Sequence, residues 1–148
     1  MNIMPLLFAY GSLMNPRQFK KVVGRWNYAR KAILRGYRLV FSGQGSADIL
    51  CTSDADQVYG VVYEITPRQL DLVDNYEGVP EAFYRREQVT IALPSREHVA
   101  NVFVKAKKEA FKRPPSRYLK QLIEGLRFHG YSEQIVNEVN RISQQEQL

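Results

Sequence analysis

The chain has 148 residues, 45% of them hydrophobic, with a formal net charge of +6. This length suits one domain with its own core, so we predict a single domain over residues 1–148. One cysteine, Cys51, excludes an internal disulfide. No apolar stretch approaches the ~20 residues of a membrane-spanning helix, and the apolar start MNIMPLLFA, which we interpret as part of a strand, lacks the basic flank of a signal peptide. We therefore expect a cytoplasmic protein without a membrane partner.

The positive charge is concentrated in two segments. No Asp or Glu occurs before Asp48, although eight Lys and Arg residues do, and a second basic stretch runs over residues 105–120. This distribution raises the hypothesis of RNA binding. Neither segment carries the motifs of the common RNA-binding or helix-turn-helix modules. We therefore do not expect nucleic acid as a partner, and we expect the charge to favour anionic ligands.

The first predicted elements are a buried strand and a short helix. Residues 5–10 form an apolar run typical of a buried strand. Asn15 can cap a helix that has Pro16 at its first position, and Gly24 can end it. The sequence therefore predicts a strand, a turn and a helix within the first 24 residues.

The turn between that strand and that helix is the segment Gly11-Ser12-Leu13. Its backbone N–H groups have no predicted strand partner, so they can converge on an anion or on a developing oxyanion. Gly11 has no side chain that would obstruct a ligand. Strand-to-helix turns also use Gly and Ser for conformational reasons alone, so the residues by themselves leave both interpretations open.

Further strands are indicated by branched and aromatic residues between turn signals. We predict them over residues 32–42, 58–65, 83–93 and 99–106, with turns at residues 43–46 and 94–95. The last two strands should form a hairpin.

A helix that begins after the cap Thr66 and ends at Gly78 carries the leading catalytic candidate. Leu70, Val73 and Glu77 recur at i, i+3 and i+7, and so share one stripe of this helix. On an apolar stripe, at the negative end of the helix dipole, the pKa of a carboxyl rises toward the range that a general base needs near neutrality. A last-turn Glu that points to solvent is the alternative that periodicity leaves equally open.

Two more helices are predicted in the C-terminal part. Pro114-Pro115-Ser116 begins one helix, which Gly130 ends, and Ser132 can cap the other. Both carry apolar residues at helical spacing, which predicts that each packs one face on the rest of the fold.

Other candidate residues have weaker support. Asp74 and Glu81 are alternative carboxylates, but Asp74 lies off the apolar stripe and Glu81 lies beyond Pro80 in a predicted loop. The single cysteine and the two histidines lack metal-ligand spacing, so no metal site is predicted.

Four segments, taken together, resemble the gamma-glutamylcyclotransferase-like family, which includes the AIG2-like proteins. They are YGSL at 10–13, YGVVYEI at 59–65, LDLVDNYEGV at 70–79 with the following FYRREQVTI, and the tail from PPSRYLKQLIEGLRFHG onward. Their order and spacing fit, and the resemblance covers nearly the whole chain. It implies an α+β fold in which short helices flank a small mixed β-barrel.

The resemblance also implies an activity and a site. The activity is conversion of a gamma-glutamyl amino acid or amine into 5-oxoproline and a free amine, through attack by the substrate's own α-amine, without a cofactor or a metal. Glu77 would be the general acid/base, and Tyr10, Gly11, Ser12 and Leu13 would form the substrate and oxyanion loop. The alternative is a non-catalytic member that binds a small ligand or a protein in the same pocket. The leaving group and the oligomeric state stay open, with a homodimer as one alternative.

Overall fold

The computed structural model describes residues 4–53 and 55–145. The strands are β1 (Leu6–Ala9), β2 (Tyr28–Arg35), β3 (Tyr37–Ser42), β4 (Ser46–Cys51), β5 (Gln57–Glu64), β6 (Tyr84–Ala92) and β7 (Glu97–Lys105). The helices are α1 (Pro16–Val22), α2 (Pro67–Tyr76), α3 (Ser116–Phe128) and α4 (Glu133–Gln144). A single turn of 3-10 helix, Ser12–Met14, follows β1.

Five strands close into a barrel in the order β1-β5-β2-β6-β7. Neighbouring strands are antiparallel except β1 and β7, which pair in parallel where Leu7 lies opposite Asn101. Strands β3 and β4 form a separate antiparallel hairpin. The predicted α+β fold, a mixed barrel flanked by short helices, is therefore confirmed.

Strand β5 connects the barrel core to the helices outside it. Val61, Val62 and Tyr63 are fully buried although consecutive side chains of a strand point to opposite faces. Both faces of β5 must therefore be covered, which explains its run of branched and aromatic residues. On one face, the Phe19 ring of α1 stacks on Tyr63 with a centroid separation of 4.1 Å.

The helix boundaries follow the predicted caps. The Thr66 hydroxyl accepts the N–H of Gln69 at 3.0 Å, and the Gln69 side chain accepts the N–H of Thr66 at 2.9 Å, which completes the capping box. Asn15 and Ser132 cap α1 and α4 in the same way, with side-chain oxygens that accept N–H groups of the first turn. None of the helices in the described ranges is long and apolar enough to span a membrane.

The single strand predicted over residues 32–42 is wrong. The structure divides this segment at Gly36, whose φ of +83° belongs to the left-handed region that favours glycine. The chain turns there, so β2 stays in the barrel while β3 leaves it and pairs with β4. Strand β4 was not predicted, because its sequence SADILC places a charged residue, Asp48, in mid-strand.

Candidate active site

A cavity of about 710 Å³ lies between the end of β1, the β3–β4 hairpin, the end of α2 and the start of α3. This volume is typical of small-molecule sites, which range over ~300–1,000 Å³. The wall of the cavity includes the five residues predicted from the sequence, Tyr10, Gly11, Ser12, Leu13 and Glu77. The fold thus brings the Tyr10–Leu13 turn and the carboxyl of Glu77 to one site, although at least 64 positions of sequence separate them.

The turn after β1 is held from two sides. Pairing between β1 and β5 ends at Ala9, so the next N–H groups lie beyond the strand ladder. From the barrel, the Tyr63 hydroxyl donates to the Leu13 carbonyl at 2.8 Å. From the other side, α3 makes backbone contact, since a Cβ on Gly125 would lie 2.6 Å from the carbonyl carbon of Met14. The turn is therefore placed by two distant parts of the chain.

Gly11 lies where this turn meets α3 and the hairpin. A Cβ on Gly11 would lie 3.1 Å from the Tyr118 hydroxyl oxygen and 3.7 Å from the Cβ of Ala47. Its φ of −119° is one that any residue adopts. A side chain at this position would therefore be crowded by α3 and the hairpin.

Glu77 follows the last residue of α2 and keeps a helical conformation, with its N–H bonded to the Val73 carbonyl at 2.9 Å. Leu70 and Val73 are buried beneath it, as the predicted stripe requires. The Glu77 side chain is half-buried, and no described residue hydrogen-bonds to its carboxylate. Desolvation by burial raises the pKa of Glu77 to about 7. At neutral pH this carboxyl can therefore both accept and return a proton.

Three buried tyrosine hydroxyls surround this carboxyl closely enough to interact with its charge. Tyr10 donates to the Phe103 carbonyl, and Tyr84 donates to the Ala47 carbonyl at 2.7 Å. The third, Tyr118, instead accepts the Ala47 N–H at 3.0 Å. Burial raises the pKa of all three phenols, so they remain protonated near neutrality.

Tyr84 and Tyr118 were not singled out from the sequence. Tyr118 falls on the apolar stripe of its helix, where an aromatic residue indicates packing, and Tyr84 begins a strand. Their place in the cavity depends on their contacts with the β3–β4 hairpin. No local pattern in the sequence could have indicated those contacts.

The hairpin wall is fastened to β7 by a buried lysine. The Lys105 ammonium donates to the carbonyls of Ser42 at 2.7 Å and Ser46 at 3.2 Å, and its pKa is lowered by burial. The buried carboxylate of Asp48 accepts the Lys105 N–H at 2.9 Å and pairs with Lys108 at 3.0 Å. These bonds fix the hairpin side of the cavity.

The alternative carboxylates differ from Glu77 in position. Asp74 is absent from the described wall of the cavity and pairs with Arg86 at 3.4 Å. Glu81 lines the cavity but is exposed to solvent. Across residues 4–53 and 55–145, no group of three or more His, Cys, Asp or Glu side chains could hold a metal ion.

The barrel with this cavity places the protein in a known class. Residues 7–121 match the family described as "Gamma-glutamyl cyclotransferase, AIG2-like", and the chain belongs to this family. The resemblance predicted from the four sequence segments is thereby confirmed. No curated protein matches the chain.

Solved structures show the same fold at low sequence identity. A protein described as "Gamma-glutamyl cyclotransferase" is 22% identical with a TM-score of 0.82, over 93% of this chain and 87% of the other. YkqA from Bacillus subtilis is 27% identical with a TM-score of 0.86, over 95% of this chain and 55% of YkqA. This chain therefore spans about half the length of YkqA. The uncharacterized protein loc79017 from Homo sapiens is 23% identical with a TM-score of 0.80, over 91% and 85% of the two chains.

Proposed function

We propose that this protein is a gamma-glutamyl cyclotransferase, which converts a gamma-glutamyl amino acid or amine into 5-oxoproline and a free amine. The observation that carries the proposal is the half-buried carboxyl of Glu77, with a pKa raised to about 7, in one cavity with the Tyr10–Leu13 turn. Membership of the gamma-glutamyl cyclotransferase, AIG2-like family supports the same class of reaction.

In this reaction the substrate supplies its own nucleophile. The α-ammonium gives a proton to the Glu77 carboxylate, and the freed nitrogen attacks the γ-carbonyl carbon. A carbon–nitrogen bond forms, and the carbonyl electron pair moves to oxygen. When the carbonyl re-forms, the bond to the leaving nitrogen breaks. Two protons pass in total from the α-nitrogen to the leaving amine, so Glu77 ends the cycle in its starting state.

The Tyr10–Leu13 turn would bind the substrate and stabilise the oxyanion. Its N–H groups lie beyond the β1 ladder, and the turn lines the cavity. A donor of this kind contributes about 3 to 4 kcal/mol in comparable sites. Folding the substrate so that its amine reaches its own carbonyl can contribute a further ~7 to 11 kcal/mol. Positioning therefore accounts for the larger share of catalysis.

The proposal extends to partners and location. Because the substrate carries the nucleophile, the reaction as written requires neither a metal nor a cofactor. It also requires neither nucleic acid nor a second subunit. We propose a small gamma-glutamyl compound as the partner and the cytoplasm as the location, in keeping with a single cysteine, Cys51, that is exposed and unpaired.

The test is a panel of gamma-glutamyl amino acids, amines and an ε-lysine isopeptide, incubated with the protein in ¹⁸O-labelled water and followed by mass spectrometry. The proposal predicts unlabelled 5-oxoproline and a stoichiometric amount of free amine from at least one compound. Labelled glutamate would indicate hydrolysis and would contradict it. Binding of these compounds without any turnover would favour a non-catalytic member of the family.

A further inference from the structure

The Tyr118 hydroxyl has a proton that no described residue accepts. Its oxygen accepts the Ala47 N–H at 3.0 Å. The hydroxyl interacts with the charge of Glu77, but it is not hydrogen-bonded to that carboxylate. Tyr118 lines the cavity, so this proton is available to a molecule bound there.

Two other tyrosine hydroxyls of the cavity do not share this property. The proton of Tyr10 is donated to the Phe103 carbonyl, and that of Tyr84 to the Ala47 carbonyl. Their roles are accounted for by the contacts that hold β7 and the hairpin in place. Tyr118 differs from both, because its oxygen accepts a hydrogen bond from the protein. Its proton is therefore left to form a hydrogen bond with a molecule in the cavity.

We propose that Tyr118 is a catalytic residue whose hydroxyl donates a hydrogen bond to the γ-carbonyl oxygen of the substrate as negative charge develops there. This inference rests on the proposed cyclotransferase activity and assigns the oxyanion site one donor beyond the turn. The hydroxyl lies against the turn, since its oxygen is 3.1 Å from the position of a Cβ on Gly11. A carbonyl oxygen placed over the turn therefore lies next to Tyr118.

The Ala47 backbone donor makes the Tyr118 hydroxyl suited to this role. A hydroxyl that accepts hydrogen bonds becomes a stronger donor, because chains of hydrogen bonds polarise one another. Tyr118 thereby passes the partial positive charge of the Ala47 N–H group into the cavity. The arrangement exists before substrate binds, which is the condition for efficient stabilisation of a transition state.

The first test is the variant Tyr118→Phe, compared with Tyr131→Phe as the matched control. Tyr131 has a buried hydroxyl that donates to the Gly60 carbonyl at 2.6 Å, and it does not line the described cavity. For Tyr118→Phe we expect kcat to fall by ~10² to 10³ with KM changed only a few-fold, as for other lost oxyanion donors. Affinity for 5-oxoproline, measured by calorimetry, should change little. Tyr131→Phe should keep the wild-type kcat.

A second variant covers the case in which Tyr118→Phe fails to fold. Gly11→Ala leaves Tyr118 intact but places a Cβ 3.1 Å from its oxygen, so the hydroxyl must move. We expect kcat to fall about tenfold or more in this variant. A Gly11→Ala variant that keeps the wild-type kcat would count against the role of Tyr118. Where Tyr118→Phe does fold, Gly11→Ala should cost less in its background, because the two substitutions act through one hydroxyl.

The outcomes separate this inference from the proposed function. If the wild-type protein forms no 5-oxoproline from any compound of the panel, the proposed function fails. If the wild-type protein is active and Tyr118→Phe keeps its kcat, the inference on Tyr118 is overturned and the cyclotransferase assignment stands. Equal losses of kcat in Tyr118→Phe and Tyr131→Phe would also overturn it, since they would reflect stability alone.

Discussion

At the scale of single residues, the chemistry of the cavity depends on a carboxyl that the fold keeps partly out of water. Burial raises the pKa of Glu77 to about 7, and it raises the pKa of the phenols Tyr10, Tyr84 and Tyr118 out of the neutral range. Among these four cavity groups, Glu77 is therefore the one that titrates near neutrality. A group of this kind can take a proton from an ammonium and return it within one catalytic cycle.

The same burial has a measurable effect on stability. The unfolded chain has a Glu pKa of ~4.3, so between about pH 4.3 and 7 the folded protein binds a proton that the unfolded chain has lost. Stability should therefore fall as pH rises through this window, by about 1 to 3 kcal/mol for a half-buried group. The Glu77→Gln variant should lose this dependence of stability on pH. We expect its advantage in melting temperature over wild type to grow from pH 4.5 to pH 7.

Asp71→Asn, at an exposed position of the same helix, provides the control and should melt in parallel with wild type. A Glu77→Gln variant whose melting temperature follows that of wild type across this range would show that Glu77 is solvated.

At the scale of elements, the sequence predicted the helix boundaries, because local signals determine them. The helix boundaries depend on Thr66, Asn15 and Ser132, whose capping bonds form within a few residues of chain. The existence of β4 depends instead on distant contacts, above all the bonds of Asp48 and Lys105. Local patterns contain no information on such contacts.

The residues of the candidate site also divide into those that local patterns predicted and those that they did not. Glu77 and the Tyr10–Leu13 turn were predicted because they belong to short segments with a recognisable order. Tyr84 and Tyr118 were missed because their significance depends on hydrogen bonds with Ala47, which is distant in sequence. The Tyr84 hydroxyl donates to the Ala47 carbonyl, and the Tyr118 oxygen accepts the Ala47 N–H. Their roles, like that of Glu77, are proposals that require kinetic tests.

The contact between α3 and the turn after β1 leads to a prediction about Gly125. Alanine is favoured over glycine inside a helix by ~1 kcal/mol. Here its Cβ would lie 2.6 Å from the Met14 carbonyl carbon and 2.7 Å from the Asn15 nitrogen, and such overpacking costs ~1 to 3 kcal/mol. We expect steric overlap to dominate, so Gly125→Ala should lower the melting temperature by a few degrees. It should also raise KM, because the turn moves.

Lys120→Ala is the control for Gly125→Ala, since it introduces alanine at an exposed position of the same helix. Its melting temperature should stay within about 2 °C of wild type. A stabilised Gly125→Ala variant with normal kinetics would mean that α3 does not hold the turn.

At the scale of the whole molecule, closure of the barrel makes the site. Pairing of β1 with β7 brings the turn after β1 beside Lys105 at the end of β7, and the hairpin that Lys105 fastens supplies the opposite wall. Segments distant in sequence thus form one cavity. The extent of the domain over residues 1–148 remains a prediction, since the structure describes residues 4–53 and 55–145.

The proposed mechanism also predicts how the whole enzyme responds to chelators. Because the substrate provides the nucleophile and Glu77 moves the protons, prolonged treatment with EDTA followed by gel filtration should leave kcat unchanged. The measurement is the initial rate of 5-oxoproline formation before and after treatment. Loss of activity that an added divalent metal restores would contradict the mechanism.

The role of Glu77 as the base is tested most directly by the pH profile of kcat/KM for wild type and Glu77→Gln, on a substrate confirmed by 5-oxoproline release. The proposed mechanism predicts that the wild-type kcat/KM rises with pH and levels off above about pH 7, where Glu77 is ionised. Glu77→Gln should bind substrate but turn it over ~10² to 10⁴ times more slowly, without that rise. A variant that keeps the wild-type rate and profile would show that Glu77 is not the base.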